Sequence, residues 1–239
     1  MTDAIEKQRA YYEATAANYD AAHTEREHVV ALHLLAAFIE MHGIKSVLDV
    51  GAGTGRAMRF LKARFPDLVI KGVEPVEALR TRGHAQGVPE DDLIAGDGLA
   101  LPFPDGSFDL VCEFAVLHHV RRPDAVIVEM TRVASKMLAI SDCNFMGQGP
   151  MWLRYAKLGL WSIGLWPLAN WIKTRGRGFT ESEGDGIAYS YSVFQNLAQI
   201  RQAWAGVHIF PTAPDAKASP PLLTASGHVL LVARRLMKE

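Results

Sequence analysis

Apolar positions recur along the chain with two periods, and the change from one to the other marks its elements. Over residues 4–41 the spacing predicts two helices, the second carried by Val29, Val30, Leu32, Leu34, Leu35 and Phe38. Beyond them, short runs rich in Val, Ile and Leu alternate with helical patterns. Strands are expected at 46–50, 69–73, 92–96, 108–113 and 136–142, and helices at 54–64, 76–84 and 123–133. Pro123 fits a helix start, because its missing N–H would be unpaired there anyway. Such alternation implies a parallel sheet covered by helices on both faces, an α/β fold. Residues 145–190 break the rhythm and read as a helical insertion. A helix at 193–204 follows, with Ser192 and Gln195 at capping-box spacing. Two last strands, 207–210 and 228–233, lie close enough to pair antiparallel at the sheet edge. The chain is therefore expected to be one domain over 1–239: an N-terminal helical lid (1–42), a core (43–144), the insertion as a second lid (145–190), and a closing segment (191–239).

The first strand runs into a glycine turn, Val47-Leu48-Asp49-Val50-Gly51-Ala52-Gly53-Thr54-Gly55-Arg56. A dinucleotide turn needs G-x-G-x-x-G, and here Arg56 stands at the third glycine. A P-loop is excluded, because no Gly-Lys-Ser/Thr follows. By itself the turn could be a tight βα connection that needs only positive φ. It is not alone: Glu74 ends the second strand just before Pro75, and Gly96-Asp97-Gly98-Leu99 closes the third. Glu74 can accept both hydroxyls of a ribose, and Asp97 an adenine amino group with Leu99 on the ring. With Asp49, that makes three acids at the carboxyl ends of three consecutive strands, the edge where open α/β sheets bind ligands.

At this point the chain resembles the class I S-adenosylmethionine-dependent methyltransferases. That family carries VLDvGcGtG, an acid ending strand two, and GDaxxLPFxdxsFDlV followed by LHH. This chain has VLDVGAGTG, GVEP, GDGLALPFPDGSFDLV and AVLHHV, in that order. The resemblance is strongest to the branch of ubiquinone/menaquinone C-methyltransferases and small-molecule and sugar O-methyltransferases. It implies a Rossmann-like, mostly parallel seven-stranded sheet with an antiparallel C-terminal edge strand, and S-adenosyl-L-methionine as cofactor. By similarity, Asp49 and the loop Gly51, Ala52, Gly53, Thr54, Gly55 lie against its aminoacyl part. Glu74 and Pro75 hold the ribose, Asp97, Gly98 and Leu99 the adenine, and Glu113, Phe114 and Ala115 complete the wall. Tyr11-Tyr12 and Asn18-Tyr19-Asp20 resemble the lid of the same branch, with Tyr11 and Tyr19 as contacts. A departure is Arg132-Val133-Ala134-Ser135-Lys136-Met137, where the family usually has Arg-Val-Leu-x-Pro-Gly-Gly, so the start of strand five is open.

Methyl transfer is an in-line displacement, so alignment supplies much of its rate. An oxygen or nitrogen nucleophile also loses a proton, and His is the commonest base. His118 and His119 follow strand four and Asp142 ends strand five; in the resembling sugar enzymes such a histidine and acid act in deprotonation. His118 is favoured as base and His119 as the residue that caps or orients. The alternative is that both line the pocket and proximity does the work. The other histidines form no H-x-x-x-H pair, and no metal site is expected.

Composition narrows the setting. Formal net charge is −1, so no global field favours nucleic acid. Cys112 and Cys143 lack metal-type spacing, and MTDAIEKQRA has no apolar signal segment, so a cytoplasmic location is expected. The insertion carries Trp152, Trp161, Trp166 and Trp171, and Pro167 interrupts its apolar stretch, so it is too short to span a membrane. It reads as a lid over an apolar or aromatic acceptor, a dimer face, or an interfacial helix through 151–177. The expected function is methylation of a small molecule at oxygen or carbon, by a monomer or homodimer. A non-catalytic S-adenosylmethionine-binding module and an NAD-dependent oxidoreductase are the alternatives.

Overall fold

The computed structural model describes residues 2–22, 26–182, 184–213 and 222–235. Seven strands form one sheet: β1 (Ser46–Val50), β2 (Val69–Glu74), β3 (Leu93–Ala95), β4 (Phe108–Phe114), β5 (Ala134–Cys143), β8 (Gly206–Pro211) and β9 (His228–Arg234). Between β5 and β8 the chain makes a separate hairpin of β6 (Phe179–Ser182) and β7 (Gly186–Tyr189). The order in the large sheet is β3-β2-β1-β4-β5-β9-β8. The first five strands are parallel; β9 runs antiparallel between β5 and β8, pairing Met137 with Arg234 and Val207 with Ala233.

Side-chain alternation shows why the sheet is buried on both faces. Along β5, Leu138 and Ile140 join one core, and Met137 and Ala139 the other. β9 repeats the pattern with Val229, Leu231 and Ala233 against Leu230 and Val232. One face is covered by α6 (Pro123–Val133), whose Val126, Ile127, Met130 and Val133 form a helical stripe, and by α9 (Leu197–Ala203). The other is covered by α3 (Arg26–Met41) and α4 (Arg56–Arg64). The stripe of α3 is Ala31, Leu32, Leu35, Ala36 and Ile39, rotated from the expected one. Alanines do the packing there and Val29 is left exposed.

Helix α5 (Glu77–Ala85) links β2 and β3. The N-terminal segment is α1 (Thr2–Thr15), a tight turn Ala16–Asn18 and a short α2 (Tyr19–Ala22). The open boundary of strand five has a simple form: β5 begins at Ala134, the residue after α6, with no turn between. The β4–β5 register is irregular between Phe108 and Leu110, beside this junction. The capping box at Ser192 and Gln195 is present and opens a 3₁₀ turn, Val193–Asn196, that feeds α9.

The insertion corrects the expectation of an all-helical lid. It contains α7 (Met151–Ser162) and α8 (Trp166–Lys173), but its second part is the β6–β7 hairpin. Gly186 takes φ +69° at the hairpin turn, and Phe179 pairs with Tyr189, rings edge-on at 6.0 Å. Among the described residues no helix is long and apolar enough to cross a membrane. A last short helix, α10 (Leu222–Ala225), precedes β9.

Gly147 anchors this insertion to the sheet. A Cβ there would run into the backbone of Ser226 and Gly227, so only glycine lets the segment after β5 lie against the start of β9. Gly147→Ala is expected to destabilise the fold by at least about 1–3 kcal/mol through overpacking against backbone, read as a lower denaturant midpoint at unchanged m-value.

Candidate active site

The carboxyl ends of β1, β2, β3 and β4 meet under the N-terminal helices and enclose a cleft of about 350 Å³. Its floor is Glu74, only 5% exposed. One carboxylate oxygen accepts from the Gly53 N–H (2.9 Å), the other from the Val76 N–H (2.9 Å). Burial raises the Glu74 pKa to about 6, with those two backbone donors and Arg80 pulling the other way. The turn above it takes left-handed backbone at Gly51, Gly53 and Gly55. A side chain on Gly51 would collide with Val116, and one on Gly53 would press on Tyr19, so the backbone is bare where it faces the cleft. Ala115 also has positive φ, +59°, held by its N–H to Ser141 O at 2.8 Å. A non-glycine residue in that conformation is strained, and here it lies in the cleft wall.

Next to the cleft is a smaller chamber of about 170 Å³, bounded by α8, the hairpin and His118. Tyr189 lines both cavities, and the turn Leu117–His119 separates them. His118 faces the chamber and His119 the cleft. His118 donates from Nδ1 to Asp142 Oδ1 at 2.7 Å and from Nε2 to Asp185 Oδ2 at 3.3 Å. His119 donates from Nδ1 to Ile187 O at 2.5 Å, and its Nε2 lies 3.0 Å from the Tyr12 hydroxyl and 3.2 Å from Asp185 Oδ1. Gln8 closes the group: its Oε1 accepts from Ile187 N–H and its Nε2 donates to Asp185 O at 3.2 Å.

The comparisons fit this geometry. Residues 48–137 match a family model described as a methyltransferase domain. A malonyl-[acyl-carrier protein] O-methyltransferase of Halorhodospira halophila is 32% identical over 159 residues, 64% of this chain and 52% of its own. Ajmaline N-methyltransferase of Rauvolfia serpentina is 33% identical over 96 residues, 38% of this chain and 33% of its own. The chain thus spans between about a third and about half of the curated relatives it matches. A SAM-dependent methyltransferase from Thermotoga maritima, a possible histamine N-methyltransferase, covers 95% of this chain and 99% of its own at TM-score 0.61 and 17% identity, which shows a shared fold. Over residues 48–137 the chain is thus similar to the methyltransferase-domain family, on a fold shared with a methyltransferase structure.

The residues expected at the cofactor separate into two depths. Tyr19, Gly51, Glu74, Pro75, Asp97, Leu99, Phe114 and Ala115 line the cleft. Asp49, Ala52, Gly53, Thr54, Gly55 and Gly98 lie behind that surface, as does Glu113. Glu113 was expected in the cofactor wall, but β4 runs on to Phe114 and keeps Glu113 within the sheet, 0% exposed. Its Oε1 has no hydrogen-bond partner among the described residues, and burial, followed by the nearby Asp142, holds its pKa well above the usual range. Burial and then Glu74 raise Asp49 to about 7. Tyr12 takes the place expected of Tyr11: it lines the cleft, with Tyr11 edge-on behind it at 5.4 Å. Gln8, Arg9, Asp185 and Tyr189 were not expected. Arg9 pairs with Asp97 at 3.6 Å on the rim. The Gly184-Asp185-Gly186 turn was a hairpin signal in the sequence; Gln8 left none.

The clearest correction concerns His118. A base needs a free ring nitrogen, and both of its nitrogens donate to carboxylates. Burial works against its charge, yet the charge and hydrogen bond of Asp142, and then Asp185, raise its pKa to about 10. Asp142, also buried, is held low despite that burial, by His118 and by N–H groups such as Cys143. In this arrangement His118 is a cation at neutral pH.

A pH consequence follows from that sign. The folded value lies above the ordinary histidine value of about 6.5, so the stability His118 contributes is full below that pH and is lost as pH rises through about 10. Between these limits the parent should lose stability relative to His118→Gln, by at most about 1.4 kcal/mol per pH unit, in paired urea titrations. Parallel curves for the two proteins would show that the folded ring is neutral.

Proposed function

We propose that the chain transfers a methyl group from S-adenosylmethionine to a small molecule, at oxygen or carbon, in the cytoplasm and without a nucleic-acid partner. The carrying observation is the pair of adjoining cavities: a cleft with a ribose-type carboxylate on its floor, and a chamber beside it across the His118–His119 turn. Glu74 would hold the ribose diol, Asp97 the adenine amino group with Leu99 against the ring, and the bare Gly51 backbone would admit the aminoacyl part. These residues suit a nucleoside without phosphates, since Arg56 replaces the glycine that a pyrophosphate needs. Bound there, the cofactor supplies an electrophilic methyl carbon; the chain supplies alignment and exclusion of water. Tyr12 and Tyr19 roof the cleft from the N-terminal segment, which supports its reading as a lid.

Across the turn, Phe145, Trp166, Phe179, Tyr189 and Tyr191 give the chamber aromatic walls, and Phe145 and Trp166 stack at 4.3 Å. They support an apolar or aromatic acceptor and a lid role for the insertion. Relatives of the chain are named for O-methylation and for N-methylation. A binding module without catalysis would have no use for the second cavity. Asp142 holds His118 towards the acceptor as a positioned cation. For His118 to take a proton, its Nε2 would first have to lose the one it donates to Asp185.

Glu74→Ala should weaken binding of S-adenosylhomocysteine about tenfold to a hundredfold in calorimetry, with the circular dichroism of the parent, because charge-assisted bonds to the diol are lost. Glu74→Gln, which keeps one acceptor, should lose less. Unchanged affinity in a folded Glu74→Ala protein, or tighter binding of NAD by the parent, would remove this reading.

A further inference from the structure

The groups around the small chamber are mostly hydrogen-bond donors. Trp166 is buried and its indole N–H has no partner among the described residues. A buried donor without an acceptor is costly to keep, so its place in a ligand-sized wall is informative. Lys157 donates from Nζ to Phe145 O (2.8 Å) and Gln148 O (2.9 Å), and an ammonium has a third N–H. Lys173 lines the same chamber, and no described carboxylate lies within salt-bridge distance of either lysine. Burial, then the nearby Lys173 and Arg154, lowers the Lys157 pKa, the sign of positive charge without compensation. Among the described residues that line the chamber, the one carboxylate belongs to Asp185, on the hairpin turn, and it sits on His118 Nε2.

We propose that the methyl acceptor is a small carboxylic acid, bound in this chamber as its carboxylate and taking the position on His118 Nε2 that the Asp185 side chain fills. The proposal rests on the methyl-transfer reading above and names its substrate class. A carboxylate arrives with its nucleophilic lone pair available, so no base is required. One carboxylate oxygen forms an O–CH₃ bond as the S–CH₃ bond breaks, and the bonding pair passes to sulfur. The products are a methyl ester and S-adenosylhomocysteine; the negative charge of the acid and the positive charge of the sulfonium cancel, and no proton moves. His118 acts as an anchor whose charge suits the bound acid, with Trp166 and Lys173 as further donors. A neutral alcohol would have to give its proton to a ring that already carries two, and an ammonium would stand among three cations.

The test uses the full chain saturated with S-adenosylhomocysteine and three probes of one size: phenylacetate, 2-phenylethanol and 2-phenylethylamine. Calorimetry should find phenylacetate bound at least about tenfold more tightly than the other two. Asp185→Asn should tighten phenylacetate binding, since a competing carboxylate is gone. Trp166→Phe and Lys173→Gln should each weaken it several-fold at unchanged affinity for S-adenosylhomocysteine; Lys173 is exposed, so that variant tests the idea even if the Trp166 variant misfolds. Equal or stronger binding of the alcohol or amine, no binding of phenylacetate, or weaker phenylacetate binding in Asp185→Asn would overturn the proposal. A parent that does not bind S-adenosylhomocysteine would instead overturn the methyl-transfer reading itself.

Discussion

The site depends on what Asp142 receives. Its carboxylate, 0% exposed, accepts from the backbone N–H of Leu117, His118 and Cys143 and from the His118 ring. A buried carboxylate is expensive unless its lone pairs are filled, and here they are filled by the chain that crosses from β4 to α6. This is why the Leu117–His119 turn has one shape. That turn is the partition between cleft and chamber, so one desolvated charge at the end of β5 fixes the relation of two cavities.

The two cavities present different groups. The cleft floor holds Glu74, a carboxylate raised by burial, with Asp49 behind it and a bare glycine turn above. The chamber holds ammonium, indole and imidazolium donors. In the proposed reaction the charges of a sulfonium and an acid would cancel on transfer inside a water-poor space.

Much of the scaffold was legible because the sheet is buried on both faces: its strands read as short runs rich in Val, Ile and Leu, and β1 and α6 fall at their expected bounds. The stripe of α3 was read in part: Leu32, Leu35, Leu34 and Phe38 do reach the core, but Ala31 and Ala36 were missed because alanine carries little hydrophobic signal. The hairpin was hidden by its exposed Thr180, Glu181 and Ser182, which break the apolar alternation of a half-buried strand. Depth at the sheet edge was also invisible: an acid can be assigned to a strand end, but whether it faces a cleft, like Glu74, or stays inside, like Glu113, depends on where the strand stops. The partners of His118 divide the same way. Asp142 was reachable through the strand pattern, whereas Asp185 and Gln8 meet the histidines only through the fold.

The Gln8 bridge to Ile187 has a kinetic meaning. It joins positions 179 residues apart, so it closes a loop that contains β1 to β6. Loop-closure entropy makes such a contact one of the last to form. A nascent chain can build β1 to β5 and expose a glycine turn, yet it cannot seat the hairpin on the histidines until the first helix has come back across the finished sheet. The reactive compartment is then a product of completed folding, and partly folded chains would lack the enclosure that a group transfer in water requires.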